Sequence, residues 1–169
     1  GQAVNRAPLS SLAFSIRPRI GDAPPVGVCG SGIVDAIAEM YRSGVINNRG
    51  RMNREAPGVR KNEQGYEYVL AAADISGTGR DIVITQSDVN EIQLAKGAIS
   101  SGLETLMVAT NTPPEDVEEV IVAGAFGSYL DLESALAIGL LPRLPKAKYM
   151  QVGNAAGVGA KMALLSLKE

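Results

Sequence analysis

Histidine and tryptophan are missing altogether from the 169-residue chain, and cysteine occurs once, at position 29. Without imidazole there is no Ser-His-Asp triad, no Cys-His dyad and no His-containing zinc site. A single thiol cannot hold a zinc ion or an iron–sulfur cluster within the chain. Nor can one cysteine form an internal disulfide, which fits a reducing compartment. Charge of one sign is lacking too: 16 basic against 18 acidic side chains leave a formal net charge of −2. No basic stripe is available for a phosphate backbone, so nucleic acid is set aside as a partner. The longest apolar runs, 120–123 and 136–141, fall far short of the roughly 18–20 residues that a membrane span requires, and nothing resembles a signal peptide. A cytoplasmic protein with no membrane contact is expected.

Glycine is what the chain has in excess, 19 residues or about 11% against a usual ~7%. Most of the excess is clustered, in Gly27-Val28-Cys29-Gly30-Ser31-Gly32, in Ala123-Gly124-Ala125-Phe126-Gly127-Ser128 and in Gly153-Asn154-Ala155-Ala156-Gly157-Val158-Gly159-Ala160. Each cluster lies just before or at the start of a predicted helix. A loop without Cβ atoms lets a ligand approach the backbone, and a helix start offers unpaired N–H groups to an anion or a polar base edge. Taken singly, such a cluster is ordinarily just a tight turn. None is a Walker A loop, and none has the Gly-x-Gly-x-x-Gly order followed by a ribose-binding acid.

Around these clusters the periodicity predicts an α/β layer with partly parallel strands. Residues 1–26, broken by Pro8, Pro18, Pro24 and Pro25, read as the continuation of a longer protein, with a half-buried strand at 11–17 carried by Leu12, Phe14 and Ile16. Ile33, Val34, Ile37, Met40 and Tyr41 recur at helical spacing up to Ser43, and Gly44 supplies a stop. Residues 47–65 read as a surface loop, followed by a hairpin of 66–70 and 82–85. A long helix is predicted over 87–109, with Thr85 or Ser87 as N-cap and Ile92, Ala95, Ile99, Leu103 and Leu106 as its buried stripe. A capped turn follows at Thr112-Pro113-Pro114-Glu115. The remainder alternates: strand 119–123, glycine loop 124–128, helix 131–139, strand 148–152, turn 153–154, helix 155–166.

Side-chain chemistry is sparse. Cys29 stands at a helix start, where the dipole lowers a thiol pKa, yet no base accompanies it, and a small packed side chain is the simpler reading. Gln93, Lys96 and Ser100 share one shoulder of the long helix; either they contact a ligand or they are solvated beside the stripe. Gly97 costs that helix roughly 1 kcal/mol relative to Ala, which close packing would explain. Asp35, Asp131 and Glu133 are the acids nearest the glycine clusters; Asp35 is placed in a first helical turn and Asp131 near the start of another helix, where the dipole accounts for them, and none of the three is assigned to a metal. Arg49 and Arg51 either meet an acidic partner or are ordinary exposed side chains.

The run Val120-Ile121-Val122-Ala123-Gly124-Ala125-Phe126-Gly127 resembles the adenosine motif of the ASKHA superfamily of acetate and sugar kinases, heat-shock chaperone ATPases and actin. Residues 153–160 are similar to its second connecting motif. Within that superfamily four segments in order resemble the C-terminal part of ATP-dependent reductive activators of corrinoid proteins. They are Gly27-Val28-Cys29-Gly30-Ser31-Gly32-Ile33-Val34-Asp35, Ile92-Gln93-Leu94-Ala95-Lys96-Gly97-Ala98-Ile99, Ala123–Gly127 and Ile138-Gly139-Leu140-Leu141-Pro142.

The resemblance implies a ribonuclease H-like, actin-like subdomain spanning 27–169, with a mixed sheet flanked by helices and belonging to a larger two-lobed ATPase. It implies an enzyme that returns cob(II)alamin of a corrinoid protein to cob(I)alamin, with Mg-ATP as cofactor and an electron from an iron–sulfur domain outside this chain. Gly30, Ser31, Gln93, Lys96, Ser100, Gly124, Ala125, Phe126 and Gly127 are then the adenosine-side residues. Ala125 stands where many members carry a second Gly and narrows the room for the base. The Asp-x-Gly-Thr phosphate loops are absent from these residues, so phosphates and metal are expected to be held by a missing N-terminal lobe. That lobe or a second copy would also complete the sheet. Alternatives are a dehydratase activator, a cobalamin-enzyme reactivase and a non-catalytic interaction domain.

Overall fold

The computed structural model describes residues 23–166, so the strand expected at 11–17 lies outside the described residues. The first element is helix α1, Gly30–Arg42. Cys29 caps it with an extended backbone, its sulfur accepting the Gly32 N–H at 3.4 Å. At the other end the Ser43 hydroxyl donates to the Glu39 carbonyl at 2.7 Å, and Gly44, at φ 78°, ends the helix as expected. Val34, Ala36, Ile37, Ala38 and Met40 are all buried, so α1 is covered on more than one side.

Residues 46–85 form an antiparallel meander, β1 (Val59–Asn62), β2 (Gly65–Ala71) and β3 (Ile82–Thr85), in spatial order β1-β2-β3. The hairpin of β2 and β3 matches the sequence reading, but β1 lies inside the stretch read as loop. Its strand is held by charge rather than by alternating apolar residues. The Arg60 guanidinium reaches Glu67 of β2 at 2.7 Å and Asp81, next to β3, at 2.6 Å. Asn62 completes the pairing of Glu67, which is itself buried. The preceding turn is also less superficial than expected: Met52 and Ala56 sit in the core, and Ile46 and Met52 form an isolated antiparallel bridge.

Helix α2, Gln86–Thr110, begins with a capping box. Thr85 Oγ1 accepts the Asp88 N–H at 3.1 Å while Asp88 Oδ2 accepts the Thr85 N–H at 2.8 Å, satisfying two donors reciprocally. The helix ends at left-handed Asn111. Its expected buried stripe is a correction. Only Val89 is buried; Ile92 and Leu103 are half-buried, and Ala95, Ile99 and Leu106 are exposed. The first turns rest on β2 and β3, whereas the later turns meet little that the described residues could offer as a covering surface.

A single 3-10 turn, Pro114–Asp116, follows; Pro113 precedes it, with no side-chain cap. Strands β4 (Glu119–Ala123) and β5 (Lys148–Gly153) pair in parallel from Glu119↔Lys148 to Ala123↔Gly153, with a register shift after Val122. The segment 124–128, read as a loop, is a short helix α3, Ala125–Tyr129. Helix α4, Leu132–Ile138, is capped by Asp131, whose Oδ1 accepts the Ser134 N–H at 2.7 Å, and closed by left-handed Gly139. Helix α5, Ala155–Leu165, has no buried residue: Met162, Leu164 and Leu165 are exposed, as are Ile121, Met150 and Val152 of the sheet.

Two cores result. Ile37, Met40, Val45, Ile46, Met52, Tyr68, Ile84 and Val89 form the larger, and Val34, Leu130, Ala135 and Leu140 the smaller. No helix of the described residues is long and apolar enough to cross a membrane. Ile84, at 1% exposure, should cost about 2–4 kcal/mol when replaced by Ala, whereas Leu164→Ala, at 87% exposure, should change stability by less than about 0.5 kcal/mol in this chain. Urea unfolding of the two variants measures the contrast.

Candidate functional site

The three glycine clusters converge at the carboxyl ends of β4 and β5, the place where open α/β sheets receive ligands. The Gly124 N–H donates to the Gly153 carbonyl at 2.7 Å, joining the second cluster to the third. The Ser128 hydroxyl turns back onto the Gly124 carbonyl at 3.2 Å. From β5 the Gln151 amide donates to the carbonyls of Gly127 and Leu130, holding α3 at its middle and at its C-cap. The first cluster joins through Phe126, whose ring lies so close to Gly30 that a Cβ there would sit 3.0 Å from Cε2.

The glycines serve different purposes. Gly30 and Gly127 permit packing, since a Cβ on Gly127 would stand 2.8 Å from Val122 Cγ1. Gly124 is required by its backbone: φ 103° and ψ 163° belong to a region that essentially only Gly occupies. A Cβ there would meet nothing within 4 Å, so open space lies over it. Gly97 also has nothing within 4 Å, so close packing does not explain its place in α2.

Cys29 and Ser31 stand at the rim of this region. The thiol pKa is lowered, first by the Ser31 hydroxyl 3.4 Å away and then by the Gly32 N–H. Asp35 is not in the first turn, because α1 starts at Gly30; it lies one turn further on, turned toward Ser134 and Asp131 of α4. One of its oxygens is buried without a hydrogen-bond partner. Desolvation raises its pKa, the Ser134 hydroxyl opposes this, and the Asp131 charge adds to it. Asp131 stands at the start of α4 as expected, as its N-cap, and Glu133 lies in the first turn. No group of three acids or thiols able to hold a metal occurs among the described residues.

Gln93 and Lys96 are drawn elsewhere. They line a pocket of about 300 Å³ with Ile37 and Tyr41 of α1, Asn47, Asn48 and Gly50 of the turn before β1, and Gly139, Leu141, Pro142 and Arg143 beyond α4. Tyr41 is eleven residues from Gly30, roughly 16 Å along α1 at ~1.5 Å per residue. Neither Ser100 nor Gly30, Ser31 and Gly124 to Gly127 line this pocket. Gln93 donates to the Arg49 carbonyl at 3.0 Å, and Gln86, seven residues earlier, donates to the Gly50 carbonyl at 2.7 Å and accepts the Met52 N–H at 2.9 Å. The two glutamines thus clamp the turn that carries Arg49 and Arg51. Gly50 at φ 71° and Gly139 at φ 73° leave the room: a Cβ would lie 2.1 Å from Gln93 Nε2 and 3.1 Å from Lys96 Nζ respectively. The sequence reading missed Gln86, Asn47, Asn48 and Arg143; only the i, i+7 spacing of the two glutamines signalled a shared helix face.

A mixed α/β layer with glycine loops gathered at the carboxyl ends of two parallel strands is an ASKHA-type arrangement. The chain belongs to the family described as the C-terminal domain of RACo, the ASKHA domain, which matches residues 3–169. Among curated proteins it is 42% identical over 160 residues to the corrinoid activation enzyme RamQ of Eubacterium limosum, covering 89% of this chain and 27% of RamQ. It is 32% identical over 129 residues to the [Co(II) methylated amine-specific corrinoid protein] reductase of Methanosarcina barkeri, covering 76% and 20% respectively. A solved structure titled reductive activator for corrinoid, iron-sulfur protein superposes with a TM-score of 0.77 at 43% identity, covering 88% of this chain and 24% of that one. The chain therefore spans about a quarter of the length of these relatives.

Asp35 gives a test of the α1–α4 contact. Its pKa is raised in the folded state, so its ionised form is penalised. That penalty is absent below the ordinary carboxylate pKa, grows as pH rises through the raised value, and is full at neutrality. Asp35→Asn should accordingly raise the denaturation midpoint at pH 7, with a gain that shrinks as pH falls toward 4. Thermal unfolding across that range measures it.

Proposed function

We propose that this chain is the adenosine-side portion of an ATP-dependent activator that returns cob(II)alamin of a corrinoid protein to cob(I)alamin. The observation that carries the reading is the assembly of Gly30, Ser31, Gly124, Ala125, Phe126 and Gly127 at the carboxyl ends of the parallel strands, with open space over Gly124. Bare backbone there fits the flat face of an adenine nucleoside, and Phe126, half-exposed against Gly30, offers it an apolar edge. The names of the three relatives, all activators or reductases of corrinoid proteins, support the client.

The sequence holds no Asp-x-Gly-Thr loop and a single Cys, and on this reading Mg²⁺, the phosphates and the iron–sulfur electron source belong to other parts of a longer protein. ATP hydrolysis would supply the free energy for the uphill electron transfer. The part played by these residues is to seat the nucleoside and to carry its binding into α1 and α3, whose starts meet at Gly30 and Phe126.

In the full-length protein, Gly124→Val should abolish ATP-dependent appearance of the cob(I)alamin spectrum when a corrinoid protein and a low-potential reductant are supplied. Phe126→Ala, which disturbs no constrained backbone, should weaken nucleotide binding about tenfold by calorimetry. Unchanged affinity in both would refute the adenosine wall. The 169-residue chain alone should bind ATP and ADP weakly and hydrolyse neither; turnover by it would contradict the assignment of the phosphates elsewhere.

A further inference from the structure

The pocket below α2 has the composition of a binding site in its own right. One wall is apolar, from Ile37, Ile46, Val89, Ile92, Leu136 and Leu141, with the Asn47, Asn48 and Gln93 amides beside it, and the volume of about 300 Å³ is at the lower end of the range for small-molecule sites. Two cations reach it, Lys96 and Arg143, and no carboxylate lines it. Neither cation has an ion pair among the described residues. Its rim does not need to form on binding: the Gln86 and Gln93 amides already hold the 49–52 backbone, and Lys96 is laid against Gly139. Pre-organisation of this kind lowers the ordering cost of association.

An unmatched pair of positive charges beside an apolar wall is complementary to a molecule with a flat apolar body and an anionic end. A neutral apolar ligand would leave both cations unused, and a polyanion without such a body would leave the wall wet. The geometry points to a second ligand site here, for a small organic anion bearing one phosphate or carboxylate, at the opposite end of α1 from the glycine loops. Lys96 then serves this ligand, and the adenosine is left to the glycine wall alone.

Phenyl phosphate, benzoate and uncharged benzyl alcohol are the probes, titrated separately into the 15N-labelled 169-residue chain and followed by its amide spectrum. Both anions should shift the amides of Gly50, Gln93, Lys96 and Gly139 saturably, and the tighter of the two identifies the anionic group. Benzyl alcohol should bind at least tenfold more weakly. Lys96→Met should weaken the anions tenfold or more, and Lys96→Arg should largely restore them. Should Lys96→Met fail to fold, Arg143→Gln on the exposed rim carries the same prediction. Shifts confined to Gly124–Gly127, shifts scattered over the surface, or anion binding indifferent to both substitutions would overturn the proposal. So would ADP moving the pocket amides more strongly than either simple anion, because the pocket would then be the nucleotide site.

Discussion

Burial of α1 on two sides is the constraint on which the rest of the structure depends. Ile37 and Met40 enter the core shared with the meander and the start of α2, while Val34 enters the core shared with α4. One helix therefore fixes the meander relative to the parallel strands, and its two ends serve two different places. Its start meets Phe126 at the glycine wall, and its last turns form one side of the pocket that Lys96 and Arg143 enter. Asp35 lies between them with an unpartnered buried oxygen, a cost borne at the contact that couples the two ends.

The elements most plainly written in the sequence are those whose caps and periodicity agree. Helix α1, with Gly44 as its stop, and strands β2 to β5 lie where apolar spacing and turn residues place them. The disagreements have separate physical origins. β1 is invisible to apolar alternation because Arg60, bridging Glu67 and Asp81, supplies its pairing. α3 was hidden because Gly124 and Gly127 read as loop formers, although Gly124 is the N-cap and Gly127 is required by the proximity of Val122. The stripe on α2 was correctly periodic yet is largely exposed, since periodicity reports which face seeks a partner and not whether the chain provides one.

The candidate site was legible in part for the same reasons. Residues recognisable by backbone demand, such as Gly124, fell together, because the strand–loop–helix transitions after β4 and β5 end side by side on the parallel pair, and Phe126 brings the start of α1 to them. Gln93 and Lys96 shared a helix shoulder in sequence, but what that shoulder faces depends on the turn at Gly50 and the segment at Gly139 that the fold brings against it. Arg143 carried no local signal at all. Exposed apolar residues on α5 and on the outer face of β4 and β5 are consistent with a chain that spans about a quarter of its relatives' length.

Photolabelling of the full-length protein with 8-azido-ATP tests the central claim most directly, since it reports where the base lies without altering a residue. Covalent attachment within 119–130, suppressed by excess ATP, is the predicted result. Attachment confined to the peptide that carries Gln93 and Lys96 would contradict it and place the base at the other end of α1.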